Sequence, residues 1–163
     1  MVELFQEWGG FIFVFAAVAM AIVFPGMGSA RGVGIVGQAG AGVLAEDPSK
    51  FSKVLILEVL PGTQGLYGFL TAIILLALSG VLGGAEDLAI PVGTGIDYFL
   101  AVLPISIVGY FSAIHQAKTA AAGMGVVAKK PEDSTKAVVL AAMVETYAVF
   151  SLLVSLLAII RVK

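Results

Sequence analysis

Residues 137–160 read AVVLAAMVETYAVFSLLVSLLAII, a run that carries one charged side chain, Glu145. A helix needs about 20 residues to cross the hydrocarbon core of a bilayer, and this stretch supplies them. A carboxylate at that depth is costly to bury. It is a functional-site hypothesis by default, and acidic residues so placed usually mark an ion or proton pathway. Glu145 therefore points to a membrane fold and to cation movement together.

The rest of the chain agrees with a membrane setting. Hydrophobic residues make up 60% and charged residues 12%, where a soluble domain carries about 25% charged. Long uncharged runs separate Glu7 from Arg31, Glu58 from Glu86 and Asp97 from Lys118, with His115 inside the last. Together with the stretch around Glu145 they predict four transmembrane helices. The absence of period-two alternation excludes a membrane β-barrel. Glu3 and Glu7 stand where a signal peptide would carry bases, so the first segment is expected to stay as a spanning helix. Without cysteine there is no disulfide framework and no thiolate site. The formal net charge of −2 says little about partners, and nucleic acid is not expected among them.

The basic residues give an orientation. Lys50 and Lys53 lie in the connection at 46–53, and Lys129, Lys130 and Lys136 in that at 128–136, whereas the middle connection holds Glu86 and Asp87 and no base. The first and third connections are expected on the cytoplasmic side, with both termini opposite, although Arg161 and Lys163 weigh mildly against this.

The two halves match without a gap at one constant offset. Ser29 and Ala30 align with Ser112 and Ala113, Gly42 with Gly125, Ala45 with Ala128, Pro48 with Pro131, Lys53 with Lys136, Leu57 with Leu140 and Thr63 with Thr146. Ion chemistry does not require Pro48 and Pro131 to agree, so the economical reading is a duplicated helical hairpin. The expected fold is an all-α membrane protein of two tandem hairpins in parallel, residues 1–83 and 84–163. Gly62 stands where the second half has Glu145, leaving one carboxylate per four helices.

The first and third helices are rich in small residues, with glycine recurring from Gly26 to Gly42 and alanine or glycine throughout Ala120 to Gly123. Small residues at helical spacing let membrane helices pack backbone to backbone. Gly32, Gly34 and Gly37 also satisfy a GxGxxG spacing, but no strand precedes them and the motif is read as coincidence. Arg31 and Lys118 read as snorkelling residues at cytoplasmic helix ends. His115 reads as a hydrogen-bonded helix residue near a membrane boundary.

Around Glu145 a set of oxygens can be assembled. Leu60, Thr63, Gln64 and Tyr67 are spaced i, i+3, i+4, i+7 and share one helix face. Pro61 has no N–H, so that turn is expected to be distorted, which frees nearby carbonyls such as that of Leu60. Gln116 lies about as far from its cytoplasmic connection as Glu145 does. One carboxylate, one hydroxyl, two amide oxygens and a carbonyl suit a hard cation such as sodium. Thr63 and Gln64 could instead be interhelical hydrogen-bond glue. A packing role does not explain Glu145.

LPGTQGLYGF (Leu60 to Phe69), AAMVETYA (Ala141 to Ala148) and AKKPE (Ala128 to Glu132) resemble the membrane rotor subunit, or proteolipid, of bacterial V-type sodium-transporting ATPases. The resemblance covers nearly the whole chain. It implies a homo-oligomeric ring in the plasma membrane that turns against a stator membrane subunit supplying an arginine. Central stalk subunits would connect the ring to a separate sector that hydrolyses ATP, so no catalytic site is implied in this chain. Carried over by residue, the resemblance implies that Na+ is held by the Leu60 carbonyl, Thr63, Gln64, Gln116 and Glu145, with Tyr67 hydrogen-bonding Glu145. A proton-carrying rotor is the alternative within the family. A stand-alone four-helix transporter fits less well, because small multidrug exporters have inverted arrangements or short chains. A structural tetraspan junction protein leaves Glu145 without a role.

Glu58 departs from the resemblance. At 100° per residue it lies opposite the face of Thr63 and Gln64 and one turn to the cytoplasmic side of Gly62. The expectation is either a shallow position near Lys53 or, in a ring, a place near Thr146 and Tyr147 of a neighbouring protomer.

Overall fold

The computed structural model describes residues 2–84 and 89–162, with the side chains of the first helix from Trp8 onward. Glu86 and Asp87, on which part of the orientation argument rests, lie outside the described residues, as do the side chains of Glu3 and Glu7. The elements are α1 (Val2–Glu46), α2 (Phe51–Val59), α3 (Thr63–Leu78), α4 (Val92–Lys129) and α5 (Ser134–Arg161). Short 3₁₀ turns at Pro48–Lys50, Leu60–Gly62, Val81–Gly83 and Pro131–Asp133 link them. Among the described residues, four helical segments, with α2 and α3 acting as one, are long and apolar enough to cross a membrane.

The repeat is visible in the helix boundaries. α1 and α4 end at Glu46 and Lys129, the 3₁₀ turns begin at Pro48 and Pro131, and α2 and α5 begin at Phe51 and Ser134, each pair separated by the same offset that aligns the two halves. Proline at the first position of each turn costs no hydrogen bond there, because that N–H would be unpaired in any case. The repeat is interrupted at Pro61. Leu60–Gly62 forms a 3₁₀ turn around Pro61, while the corresponding Met143–Glu145 run continues as α-helix.

α1 and α4 form the central pair, and their packing against each other is the most extensive in the molecule. Gly28 makes this approach possible, since a Cβ there would come within 2.7 Å of the Tyr110 carbonyl. At Gly32 a Cβ would lie 2.8 Å from the Pro61 ring and 3.0 Å from the Ala113 carbonyl, so the glycine lets three segments meet. α3 packs on α1 and α5 on α4, and α3 and α5 touch each other only sparingly. A cleft between these two outer helices, backed by α4, holds the polar side chains.

Near Pro104 and Pro61, serines on neighbouring helices accept backbone N–H groups. Behind Pro104, the N–H of Ile105 donates to Ser155 Oγ on α5 at 3.1 Å. After the Pro61 turn, the N–H of Gly65 donates to Ser29 Oγ on α1 at 2.8 Å. In a membrane interior such partners replace the water that would otherwise satisfy freed backbone groups.

The inner helices are longer than charge spacing suggested. Arg31 lies well inside α1, which runs on to Glu46, and so is not a helix-end residue. Its guanidinium donates to the Tyr110 hydroxyl at 2.5 Å and lies 5.9 Å from the ring centroid. At the opposite pole, Asp47 accepts from Ser49 N at 3.0 Å and Ser49 Oγ at 2.6 Å. Lys50 Nζ lies 3.5 Å from Asp47 Oδ2 and donates to the Ala128 carbonyl at 2.9 Å, tying the two lysine-bearing ends together.

Candidate ion site

Glu145 projects from α5 into the cleft toward α3 and α4. Tyr67 on α3 donates its hydroxyl to Glu145 Oε1 at 2.5 Å, and Gln116 on α4 donates Nε2 to Glu145 Oε2 at 3.2 Å. Both carboxylate oxygens are thus hydrogen-bonded by groups from other helices. Glu145 is half-buried, whereas Gln64 and Gln116 are fully buried with 0% exposure.

The remaining oxygens follow in sequence. Gln64 Nε2 donates to Gln116 Oε1 at 2.6 Å, and Thr63 Oγ1 donates to the Leu60 carbonyl at 3.0 Å and lies 3.4 Å from Gln64 Oε1. The 3₁₀ turn explains the geometry. It directs the Leu60 carbonyl to both the backbone N–H and the hydroxyl of Thr63. All six residues singled out in the sequence, Leu60, Thr63, Gln64, Tyr67, Gln116 and Glu145, therefore lie on one connected network drawn from three segments.

Ser112 belongs to the same network and was not singled out. Its hydroxyl accepts from Gln64 Nε2 at 3.4 Å and donates to the Val144 carbonyl at 3.1 Å. Its position one turn before Gln116, and its repeat partner Ser29, which also serves an outer helix, were the available signals. Thr71 lies below Tyr67 and donates to the Tyr67 carbonyl at 2.8 Å.

Glu58 is not a member. Its carboxylate turns onto α1, with Oε1 2.8 Å from where a Cβ on Gly37 would stand. His115 and Lys118 are exposed on α4 outside the cleft.

The acceptors of the network are one carboxylate, amide and hydroxyl oxygens and a main-chain carbonyl, all of them hard ligands. Among the described residues no group of three or more His, Cys, Asp or Glu side chains stands ready for a transition metal.

A profile of the family described as the C subunit of ATP synthase matches the chain twice, over residues 16–75 and 99–158, and the two matches are displaced by the same offset as the internal repeat. The V-type sodium ATPase subunit K of Enterococcus hirae is 44% identical over 158 residues, which cover 97% of each chain. The A-type ATP synthase subunit K of Methanocaldococcus jannaschii is 40% identical over 143 residues, 88% of this chain and 60% of that protein.

Proposed function

This chain belongs to the family of ATP synthase C subunits, and from that premise we propose that it carries one Na+ per protomer across the membrane on Glu145, as part of the rotor ring of a V-type ATPase. It is an integral membrane proteolipid of the K-subunit type and not a catalytic subunit. Its two hairpins are residues 1–83 and 84–163. ATP hydrolysis belongs to a separate sector, joined to the ring by central stalk subunits.

One observation carries the sodium reading. Glu145 is joined, through the Gln116 and Gln64 amides, to a cluster of oxygens that a proton carrier does not need. A protonated carboxyl needs one acceptor for its proton, whereas the Leu60 carbonyl, Thr63 Oγ1 and Gln64 Oε1 are gathered at the far end of this hydrogen-bonded chain. The Enterococcus relative is named as a sodium ATPase subunit, which agrees with this choice.

The mechanism follows from charge. The carboxylate neutralises a bound Na+, so the loaded site can pass along the lipid face, where an unpaired anion would be costly. An arginine on the stator then competes for Glu145 and displaces the ion. Each ion moves against about 2.3 kcal/mol per 100 mV. One carboxylate per four helices lowers the number of ions carried per turn, which favours ATP-driven pumping over synthesis. The lysine-bearing connections at 46–53 and 128–136 face the cytoplasm, and the termini lie opposite.

Radiolabelled sodium binding to purified oligomers tests this directly. The expected result is one saturable site per chain, lost in Glu145→Gln and opposed by protons. Proton-coupled transport with no sodium binding would move the protein to the proton-carrying branch.

A further inference from the structure

Because the hairpins are repeats, their mutual contact also describes how one protomer meets the next in the proposed ring. The face that the first hairpin turns to the second is matched, one repeat on, by the face that the second turns to the first hairpin of the following copy. Within the chain, Gly28 lies on Tyr110, and Gly32 lies between Pro61, Ala113 and Ala117. Advancing these by the repeat sets Phe111 opposite Met27 of the next copy, and His115, covered by Val144, opposite its Ala30 and Gly34.

Both surfaces suit that arrangement. Phe111 and His115 are exposed and, with Val108, Val144 and Tyr147, line an open groove of about 350 Å³. Met27, Ala30 and Gly34 are exposed, and nothing lies within 4 Å of where a Cβ on Gly34 would stand. The occupant is therefore a second copy of this chain, continuing the hairpin interface already present.

Glu58 lies on the receiving face. It rests at Gly37, about one turn along α1 from Gly34, and is half-buried. Among the described residues, no hydrogen-bond donor or cation reaches its carboxylate, and no partner reaches the His115 imidazole. The repeat equivalent of Glu58 is Ala141, fully buried in a cluster with Val36, Leu57 and Ala117. Advanced by the repeat, Gly32, Val36, Leu57 and Pro61 become His115, Thr119, Leu140 and Val144. Two of these four side chains are apolar, and the two polar ones are both on α4. A carboxylate enclosed without a donor is strongly disfavoured, and His115 and Thr119 are the donors the incoming face provides.

We propose that the His115 imidazole of one protomer hydrogen-bonds the Glu58 carboxylate of the next, with the Thr119 hydroxyl beside it. The pair forms a polar clamp in the ring wall, about one turn to the cytoplasmic side of Gly62. It gives Glu58 a role in joining protomers and none in carrying cargo. The inference rests on the ring reading above.

The cysteine-free chain makes the test clean. His115→Cys combined with Glu58→Cys, treated in native membranes with a short bis-maleimide, is expected to give a ladder of covalent oligomers on a denaturing gel. Either single variant should remain monomeric, and Glu58→Cys with Tyr147→Cys should ladder less. In a double-mutant cycle on ring dissociation, His115→Ala and Glu58→Ala should each raise the rate roughly fivefold, with the double variant no worse than either alone. An intact ring without laddering, stronger laddering through Tyr147→Cys, or additive effects in the cycle would overturn the clamp and leave the ring standing. A wild-type protein with the native mass of one chain would overturn both.

Discussion

The Tyr67 hydroxyl and Glu145 Oε1 meet at 2.5 Å although 78 residues separate them in the chain, and their hydrogen bond spans the cleft between α3 and α5. Tyr67 contributes a donor, so it can orient the carboxylate while leaving the acceptor oxygens for a cation. Tyr67→Phe is expected to weaken sodium retention about tenfold, the scale of a hydrogen bond to a charged group. Ring assembly should be unchanged. The measurement is the release rate of radiolabelled sodium from purified oligomers, and an unaltered rate would remove Tyr67 from the site.

Glu145→Gln preserves shape but cannot neutralise a cation. Transport should be abolished while oligomers of normal size still form. In the unmodified protein, a carbodiimide that attacks the protonated carboxyl should label Glu145, and sodium should protect it by excluding the proton. Sodium-coupled transport at the normal rate in Glu145→Gln would sink the assignment.

Thr63→Val and Gln64→Leu each remove one oxygen of the proposed set. Thr63 is half-buried and its hydroxyl serves the Leu60 carbonyl, so its loss should lower sodium affinity roughly fivefold to tenfold with little effect on assembly. Gln64 is fully buried and donates to Gln116 and Ser112. Gln64→Leu should therefore lower affinity more and also weaken packing. Titration calorimetry paired with native mass measurement separates the two effects. Normal affinity with fragmented oligomers would identify both residues as structural glue.

Much of this was legible in the sequence, for identifiable reasons. The constant offset between the halves foretold two hairpins because repeated sequence repeats its caps and turns, and Pro48 and Pro131 do open equivalent 3₁₀ turns. The face shared by Leu60, Thr63, Gln64 and Tyr67 followed from helical periodicity even through the Pro61 break, because so short a 3₁₀ turn shifts the phase only slightly. Helix length was less legible. Arg31 and Lys118 were read as segment ends, yet α1 and α4 run on past them, because Arg31 finds Tyr110 on the neighbouring helix. Ser112 and the inward turn of Glu58 escaped notice because each depends on which helix stands opposite, and periodicity within one helix does not encode that.

The Asp47 carboxyl is held below its ordinary value by the Ser49 hydroxyl and then by the Ser49 backbone N–H. A depressed folded-state value means that the stabilisation is present above the unfolded value and is lost as pH falls through the folded one. The turn at Pro48–Lys50 should stay protected from hydrogen exchange at neutral pH and open only below the usual carboxylate range. Ser49→Ala should move that opening to higher pH. An opening pH identical in the two proteins would show that Ser49 does not set the Asp47 ionisation.

Ser112 offers the sharpest separation of positioning from ligation. Its hydroxyl holds Gln64 Nε2 and the Val144 carbonyl, which is next to Glu145 in the chain, but it lies outside the set of oxygens proposed to touch sodium. Ser112→Ala removes an acceptor from Gln64 Nε2 and a donor from the Val144 carbonyl without leaving a buried charge, and Gln64 Nε2 retains Gln116 Oε1. A loss of about 1 kcal/mol, roughly fivefold in sodium affinity, is expected. The Glu145 and Gln116 side chains would be less firmly placed, so the loss should appear as faster ion release with an unchanged number of sites. Combined with Gln64→Leu, the serine substitution should cost less than it does alone, since one of its two partners is already absent and only the Val144 carbonyl remains to lose. An additive loss in the double variant would mean that Ser112 acts on the ion independently of Gln64.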